Sequence, residues 1–196
     1  MQIINNFIEP KIQDELEALF TSNNFPYYYS SVSCVPPGYK EFEGEDERLT
    51  GAAFVDENTV ETPQFSHVLF TVDGINSGMY FQTLPIIDKL KAVVGGEYEL
   101  RRCKVNLNII DARFAGKYHT PHIDNGFEDQ ITAVYYVNDA DGDTLFFDDN
   151  GQITKRVTPE KGKLVWWKGK IFHAKEHSIK STARIIVNIN LLPCGK

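Results

Sequence analysis

Cysteine is scarce in this chain of 196 residues, and the three present, Cys34, Cys103 and Cys194, stand far apart. An odd number with no Cys-x-x-Cys pair argues against a disulfide framework or a thiolate zinc site, and it fits a reducing compartment. No run of about 18 apolar residues occurs, so no membrane span is expected. The N-terminus lacks the basic-then-apolar pattern of a signal peptide, and a cytoplasmic location is the expectation. Repeats and low-complexity tracts are missing as well. What remains is a hydrophobic share of 42% against 24% charged residues, which fits one soluble globular domain over residues 1–196.

The net charge of −7 hides an asymmetry, because Lys155 to Arg184 carry nine Lys/Arg against only Glu160 and Glu176. Lysines on exposed strand edges would discourage aggregation and explain this. The sharper alternative is a basic rim for an anionic ligand, nucleic acid included.

Two helices are expected in the first half. Pro10 suits a first helical position, and Ile12, Leu16, Leu19 and Phe20 follow at helical spacing until "TSNNFP". The second begins near Thr83, has Ile86, Ile87, Leu90, Val93 and Val94 on its apolar face, and stops at Gly95-Gly96. Strands are expected at "YYYSSVSCV" and "LTGAAFV", with "PPGYKEFEGEDER" between them as a surface loop able to act as a lid.

From residue 98 the pattern turns to short β segments. Cys103, Val105, Leu107 and Ile109 alternate with Arg102, Lys104, Asn106 and Asn108; Ile185, Val187, Ile189 and Leu191 alternate with Arg184, Ile186, Asn188 and Asn190. Asn150-Gly151 marks a hairpin and "NDADGD" a longer turn. The latter is no calcium loop, because Gly142 precedes its third acid and Asn150 stands where a glutamate is needed. The expected class is α+β, mainly β: a double-stranded β-helix (jelly-roll or cupin-like barrel) with N-terminal helices on one outer face. Residues 1–97 would form the support layer and 98–192 the catalytic core. The asparagine-rich faces either tolerate exposure or line the barrel interior, where an arginine would call for a bound carboxylate.

"YHTPHIDNG" then raises a metal question. His122 and Asp124, at i and i+2 of an extended segment, leave the same face. Of His67, His173 and His177, His173 is best placed to return to the same end of the barrel, between the strand Leu164–Lys168 and the strand that begins at Arg184. Two imidazoles and a carboxylate make the facial triad of non-haem Fe(II) oxygenases.

"HID", "AVYYVND", "GDTLFF", "PEKGKLVWW", "FHA" and "ARIIVNINL" together resemble the 2-oxoglutarate- and Fe(II)-dependent dioxygenases, in their prolyl-4-hydroxylase-like branch, over residues 98–192. The run from "KVNLNI" to "YYVNDADGDT" is also similar to small oxygenases encoded by bacteriophages, which would place the protein in a host cytoplasm. The resemblance implies Fe(II) on His122, Asp124 and His173, and 2-oxoglutarate with its distal carboxylate on Arg184 and Tyr136. It implies further pocket contacts at Asn188, Thr132, Tyr118 and Asn106, and ascorbate as an accessory. His119 has no counterpart in the family pattern, and the stretch from His173 to Arg184 is long. The reaction implied is O2-dependent hydroxylation of a C–H bond with release of succinate. A peptide or protein prolyl residue is the expected substrate. A nucleobase is the rival, with the basic segment and stacking on Trp166 or Trp167 in its favour. A cupin-like metalloprotein without 2-oxoglutarate, or a barrel that binds without turnover, stay open as other classes.

Overall fold

The computed structural model describes residues 1–33, 53–124 and 127–195. Two sheets face each other. In chain order the elements are β1 (Gln2–Ile4), α1 (Pro10–Phe20), β2 (Tyr28–Ser30), β3 (Gln64–Thr71), β4 (Gly74–Ile75), α2 (Leu84–Val94), β5 (Tyr98–Ile109), β6 (Ile131–Tyr136), β7 (Thr144–Phe147), β8 (Ile153–Val157), β9 (Leu164–Lys168), β10 (His173–Lys175) and β11 (Ala183–Pro193). The larger sheet has eight strands in the order β1-β9-β6-β11-β5-β3-β2, with β4 beside β3; the smaller is β10-β7-β8. Strands before residue 97 thus extend the same sheet that carries β5 and β11.

Period-two patterning decides what lies on each side of the large sheet. Cys103 and Val105 of β5, Ile185, Val187 and Ile189 of β11, and Ile131, Ala133 and Tyr135 of β6 point outward and pack under Leu16 and Phe20 of α1 and Ile86, Ile87 and Leu90 of α2. Each such aliphatic side chain contributes roughly 1.5–3 kcal/mol by burial. Both helices carry proline in their first turn, and α2 ends where Gly95 takes φ 71°, a conformation glycine adopts without strain. The inner face holds a smaller apolar group, Val134, Tyr136, Val165, Trp167 and Ile186 with Phe146 and Val157 from the small sheet, which closes one end of the sandwich. The rest of the inner face is polar.

Some expectations meet other elements, and some fall outside the described residues. Only Tyr28–Ser30 of "YYYSSVSCV" is a strand, and Cys34 and Val35 lie outside the described residues. In "LTGAAFV", Leu49 to Ala52 also lie outside them, and Ala53 makes a single bridge to His122. The expected lid, "PPGYKEFEGEDER", falls wholly outside them too. Conversely, β1 and the eight-residue β3 carry no clear alternation in sequence; β3 is broken by a register shift between Val68 and Phe70.

Candidate functional site

The segment Tyr118–Asp124 runs along β10, joined to it by single-residue bridges, Tyr118 to Glu176 and His122 to His173. His122 and His173 each donate their backbone N–H to the other's carbonyl at 3.0 Å. This pairing sets the two rings side by side, centroids 4.6 Å apart. Each ring has a backbone carbonyl at Nδ1, Thr120 O at 2.9 Å for His122 and Ile171 O at 3.1 Å for His173. Such an acceptor assigns the proton to Nδ1 and makes Nε2 the nitrogen able to ligate a metal. The two Nε2 atoms lie 3.5 and 3.9 Å from Oδ1 of Asp124, and one donor atom from each residue falls within a 4.8 Å group.

Burial alone would raise the Asp124 carboxyl, but Arg102, with Nη2 3.3 Å from Oδ1, and the two imidazoles outweigh it and hold the group well below the usual carboxylate range. Burial, reinforced by His122, pushes His173 down to about 4, so its imidazole is neutral at physiological pH. The other oxygen of Asp124 accepts from Asn190 Nδ2 at 2.8 Å and Asn188 Nδ2 at 3.3 Å. Arg102 in turn donates to Asn190 Oδ1 at 2.9 Å and Asn188 Oδ1 at 3.4 Å. A neutral His173 imidazole, the His122 imidazole beside it and an ionised, oriented carboxylate suit a divalent first-row ion such as Fe(II).

Beside the triad lies an open cavity of about 530 Å³, its mouth included. Lys104, Asn106 and Asn108 of β5, Arg184, Ile186 and Asn188 of β11, and Thr144 and Lys175 of the small sheet line it together with the triad. Arg184 is fully buried. Its Nε donates to Gly142 O at 2.9 Å and its Nη2 to Thr144 Oγ1 at 2.8 Å, while Nη1 has no partner. Tyr136 sits under the guanidinium, 5.6 Å from its ring centre, and donates its hydroxyl to the same Thr144 Oγ1 at 2.7 Å. Burial pushes that phenol up to about 12. Thr144 thus accepts twice, and its own proton is left to donate to a third group. Lys175 donates to Gln64 Oε1 at 3.3 Å; burial, and next Arg184, hold its ammonium well below the usual lysine range. Such under-partnered cations in a dry pocket are costly until an anion joins them.

Of the residues expected at the site, His122, Asp124, His173, Arg184, Asn106 and Asn188 meet at this cavity. Three others lie elsewhere. The Tyr118 hydroxyl turns away to Asp56, and its ring packs on Phe147. Thr132 is fully buried behind the triad, where it accepts from Asn190 Nδ2 at 3.2 Å. Tyr136 reaches the cavity only through Thr144. His119 belongs to a buried cluster: its Nδ1 faces Ser33 Oγ at 2.7 Å and Glu61 Oε2 at 3.3 Å, and its ring stacks on His177. Burial and then Lys175 push His119 down to about 3, so it is neutral and donates from Nδ1. His67 packs against Phe25 and Tyr28, far from the triad in the fold.

Most of the cations of Lys155–Arg184 pair with acids among the described residues instead of gathering at the cavity mouth. Lys161 pairs with Asp14 and Glu17, Lys163 with Glu160, Lys168 with Asp129, Lys170 with Glu128 and Arg156 with Glu176. Lys175 and Arg184 point inward, Trp167 is core, and Trp166 packs into the outer apolar cluster. A nucleic-acid groove on this segment therefore finds no support among the described residues. Sequence reasoning missed Arg102, Asn190, Asn108, Thr144 and Lys175. The first three stood on alternating faces already singled out. Thr144 and Lys175 meet only through the register of β7 and β10, for which no local signal exists.

Residues 107–192 match the sequence model of the family described as the 2OG-Fe(II) oxygenase superfamily. No curated protein matches the chain. Among solved structures, a prolyl-4-hydroxylase from Pseudomonas putida is 17% identical, with 98% of this chain and 91% of that one covered and a TM-score of 0.56. A prolyl hydroxylase from Trichoplax adhaerens, in complex with a hypoxia inducible factor peptide fragment, is 14% identical (97% and 82% covered, TM-score 0.59). A viral collagen prolyl hydroxylase from Paramecium bursaria Chlorella virus-1, in its 2OG complex, is likewise 14% identical (97% and 94% covered, TM-score 0.54). At these identities the likeness is one of fold, the double-stranded β-helix.

Proposed function

With residues 107–192 belonging to the 2OG-Fe(II) oxygenase superfamily, and the chain accordingly a 2-oxoglutarate-dependent dioxygenase, we propose that it hydroxylates a C–H bond in a peptide or protein, a prolyl residue being the first candidate. The observation that carries this is the juxtaposition of His122, Asp124 and His173 with the unpartnered guanidinium edge of Arg184 across one cavity. His122, Asp124 and His173 would hold the iron, and Arg184 would take the distal carboxylate of 2-oxoglutarate. Iron and oxoacid together supply the oxidative step, in which O2 gives one oxygen atom to the substrate and one to succinate, with loss of CO2.

The chain's own side chains orient and shield. Asn188, Asn190 and Arg102 fix the plane of the Asp124 carboxylate, and Ile171 and Thr120 carbonyls fix the imidazoles. Val134 and Ile186 cover one wall and limit water, which strengthens the charge interactions inside. The peptide preference is supported by two proteins of like fold, a prolyl hydroxylase held with a hypoxia inducible factor peptide fragment and a viral collagen prolyl hydroxylase.

Two measurements test it. Anaerobic absorbance during titration of the purified protein with Fe(II) and then 2-oxoglutarate should give a weak visible charge-transfer band only when both are present. Turnover with a proline-rich peptide library should then yield products bearing one added oxygen atom. A band with no oxidised peptide, but with oxidised nucleosides, would keep the reaction class and refute the peptide reading. Iron bound with no band would refute the oxoglutarate reading itself.

A further inference from the structure

One end of the cavity gathers polar groups with unused hydrogen-bonding capacity. Arg184 and Asn108 are register partners on β11 and β5, and the pairing of Phe65 with Leu107 brings Gln64 of β3 alongside. Facing them from the small sheet, Thr144 and Lys175 are register partners on β7 and β10. Among the described residues, Nη1 of Arg184 and both amide atoms of Asn108 are buried without hydrogen-bond partners, and Lys175 donates to Gln64 Oε1. Neither cation makes a salt bridge among the described residues, although Glu61 lies close enough to Lys175, and Asp143 to Arg184, to act on it through the field.

Arg184 cannot supply a full fork to a ligand here. Its Nε and Nη2 are committed to Gly142 and Thr144, which leaves only Nη1. A carboxylate offers about four lone-pair sites over two oxygens, so one nitrogen leaves most of them unmet. Among the donors that line the same cavity, the Thr144 hydroxyl and the Lys175 ammonium face Arg184 from the small sheet and the Asn108 amide is its register partner, whereas Lys104 stands four residues further along β5.

On the oxygenase reading above, we propose that Lys175, assisted by Asn108, is a second anchor for the terminal carboxylate of the cosubstrate, completing with Arg184 a two-cation seat that selects an oxo-dicarboxylate over an oxo-monocarboxylate. Lys175 follows the ligand His173 by two residues on β10. The same short strand therefore presents one group to the metal end of the cosubstrate and one to its far end.

The test compares wild type with Lys175→Met, a substitution that keeps length and removes charge. Fe(II)-loaded protein is titrated anaerobically with 2-oxoglutarate and with 2-oxobutanoate, which lacks the second carboxylate, and the charge-transfer band is followed. Lys175→Met should weaken 2-oxoglutarate binding about 10- to 100-fold, the loss expected for a hydrogen bond to a charged group. Binding of 2-oxobutanoate and of Mn(II) should stay within about twofold, since neither uses this seat. The melting temperature of the metal-free variant should stay within about 4 °C of wild type, since the methionine keeps the packing of the lysine stem. Asn108→Ala should show the same selectivity with a smaller loss. Unchanged 2-oxoglutarate affinity in Lys175→Met, or equal losses for both oxoacids, would overturn the assignment. Failure of the wild type to bind 2-oxoglutarate at all would instead sink the oxygenase reading on which it rests.

Discussion

Thr144→Val is the substitution that most directly probes how the cavity floor is built. Valine matches threonine in shape, so the change removes one oxygen and little else. That oxygen accepts from Tyr136 Oη at 2.7 Å and from Arg184 Nη2 at 2.8 Å, and Thr144 is buried. A bond from a charged donor contributes about 1.5–3 kcal/mol and a neutral one about 1 kcal/mol, and both donors would be stranded in a dry site. The expected destabilisation is therefore about 2–4 kcal/mol. For a chain of this size that corresponds to a melting temperature lower by roughly 5–15 °C. Urea unfolding of the metal-free protein measures it, with Thr144→Ser as the control that restores the acceptor and should stay within about 1 kcal/mol of wild type. A double-mutant cycle with Tyr136→Phe should return a coupling of about 1 kcal/mol. Should Thr144→Val unfold within about 1 kcal/mol of wild type, Arg184 and Tyr136 must be satisfied in some other way, and Thr144 does not organise the seat.

Two further outcomes follow from particular contacts. Gly142 has φ +84°, and a Cβ there would sit 2.7 Å from Ser178 Oγ and 2.8 Å from Glu176 O, so Gly142→Ala should cost roughly 3 kcal/mol or more in urea unfolding. Because Gly142 O receives the Arg184 Nε bond, 2-oxoglutarate affinity should fall with it; an unchanged affinity would show that Arg184 is positioned independently of this turn. The second outcome concerns acid. His119 sits among Glu61, His177 and Lys175 and is depressed to about 3, so the unfolded chain binds its proton first and stability drops as pH falls from about 6.5. The slope from this group is at most about 1.4 kcal/mol per pH unit. Glu61, whose carboxyl is held low by His119 and the Thr120 and Ser33 amides against burial that would raise it, stabilises above its ordinary range and loses that contribution only at lower pH. Stability curves between pH 7 and 5 should flatten in His119→Asn; an unaltered slope would assign the acid sensitivity elsewhere.

Much of this fold is visible in local pattern, and the exceptions have physical causes. Strict alternation in β5 and β11 marks both the sheet and its polar inner face, because only a strand bound on two unlike sides keeps asparagines in register. Pro10 and Gly95-Gly96 mark helix ends through backbone constraint alone. By contrast, β3 is interrupted by its register shift, and β1 is too short to show a period. At the site, His122 and Asp124 are legible from spacing, and Arg184 from its place at the head of an alternating strand. Lys175 and Thr144 are not, since what gives them meaning is a cross-strand neighbour. The basic segment misleads for the same reason: its acid partners, Asp14, Glu17, Glu128 and Asp129, come from remote parts of the chain.

The mutual backbone bonds of His122 and His173 have a mechanical consequence. The segment that bears His122 joins the small sheet through isolated bridges at Tyr118 and His122, not through a continuous ladder. A seam held by so few backbone bonds opens at lower cost than a continuous ladder. A metal ion ligated on both sides of it would act as a cross-link, closing the long loop between residues 122 and 173 much as a covalent bridge does. Iron supply then bears on the lifetime of the folded chain as well as on its turnover, with stability rising by RT ln(1 + [M]/Kd) as the free metal concentration climbs.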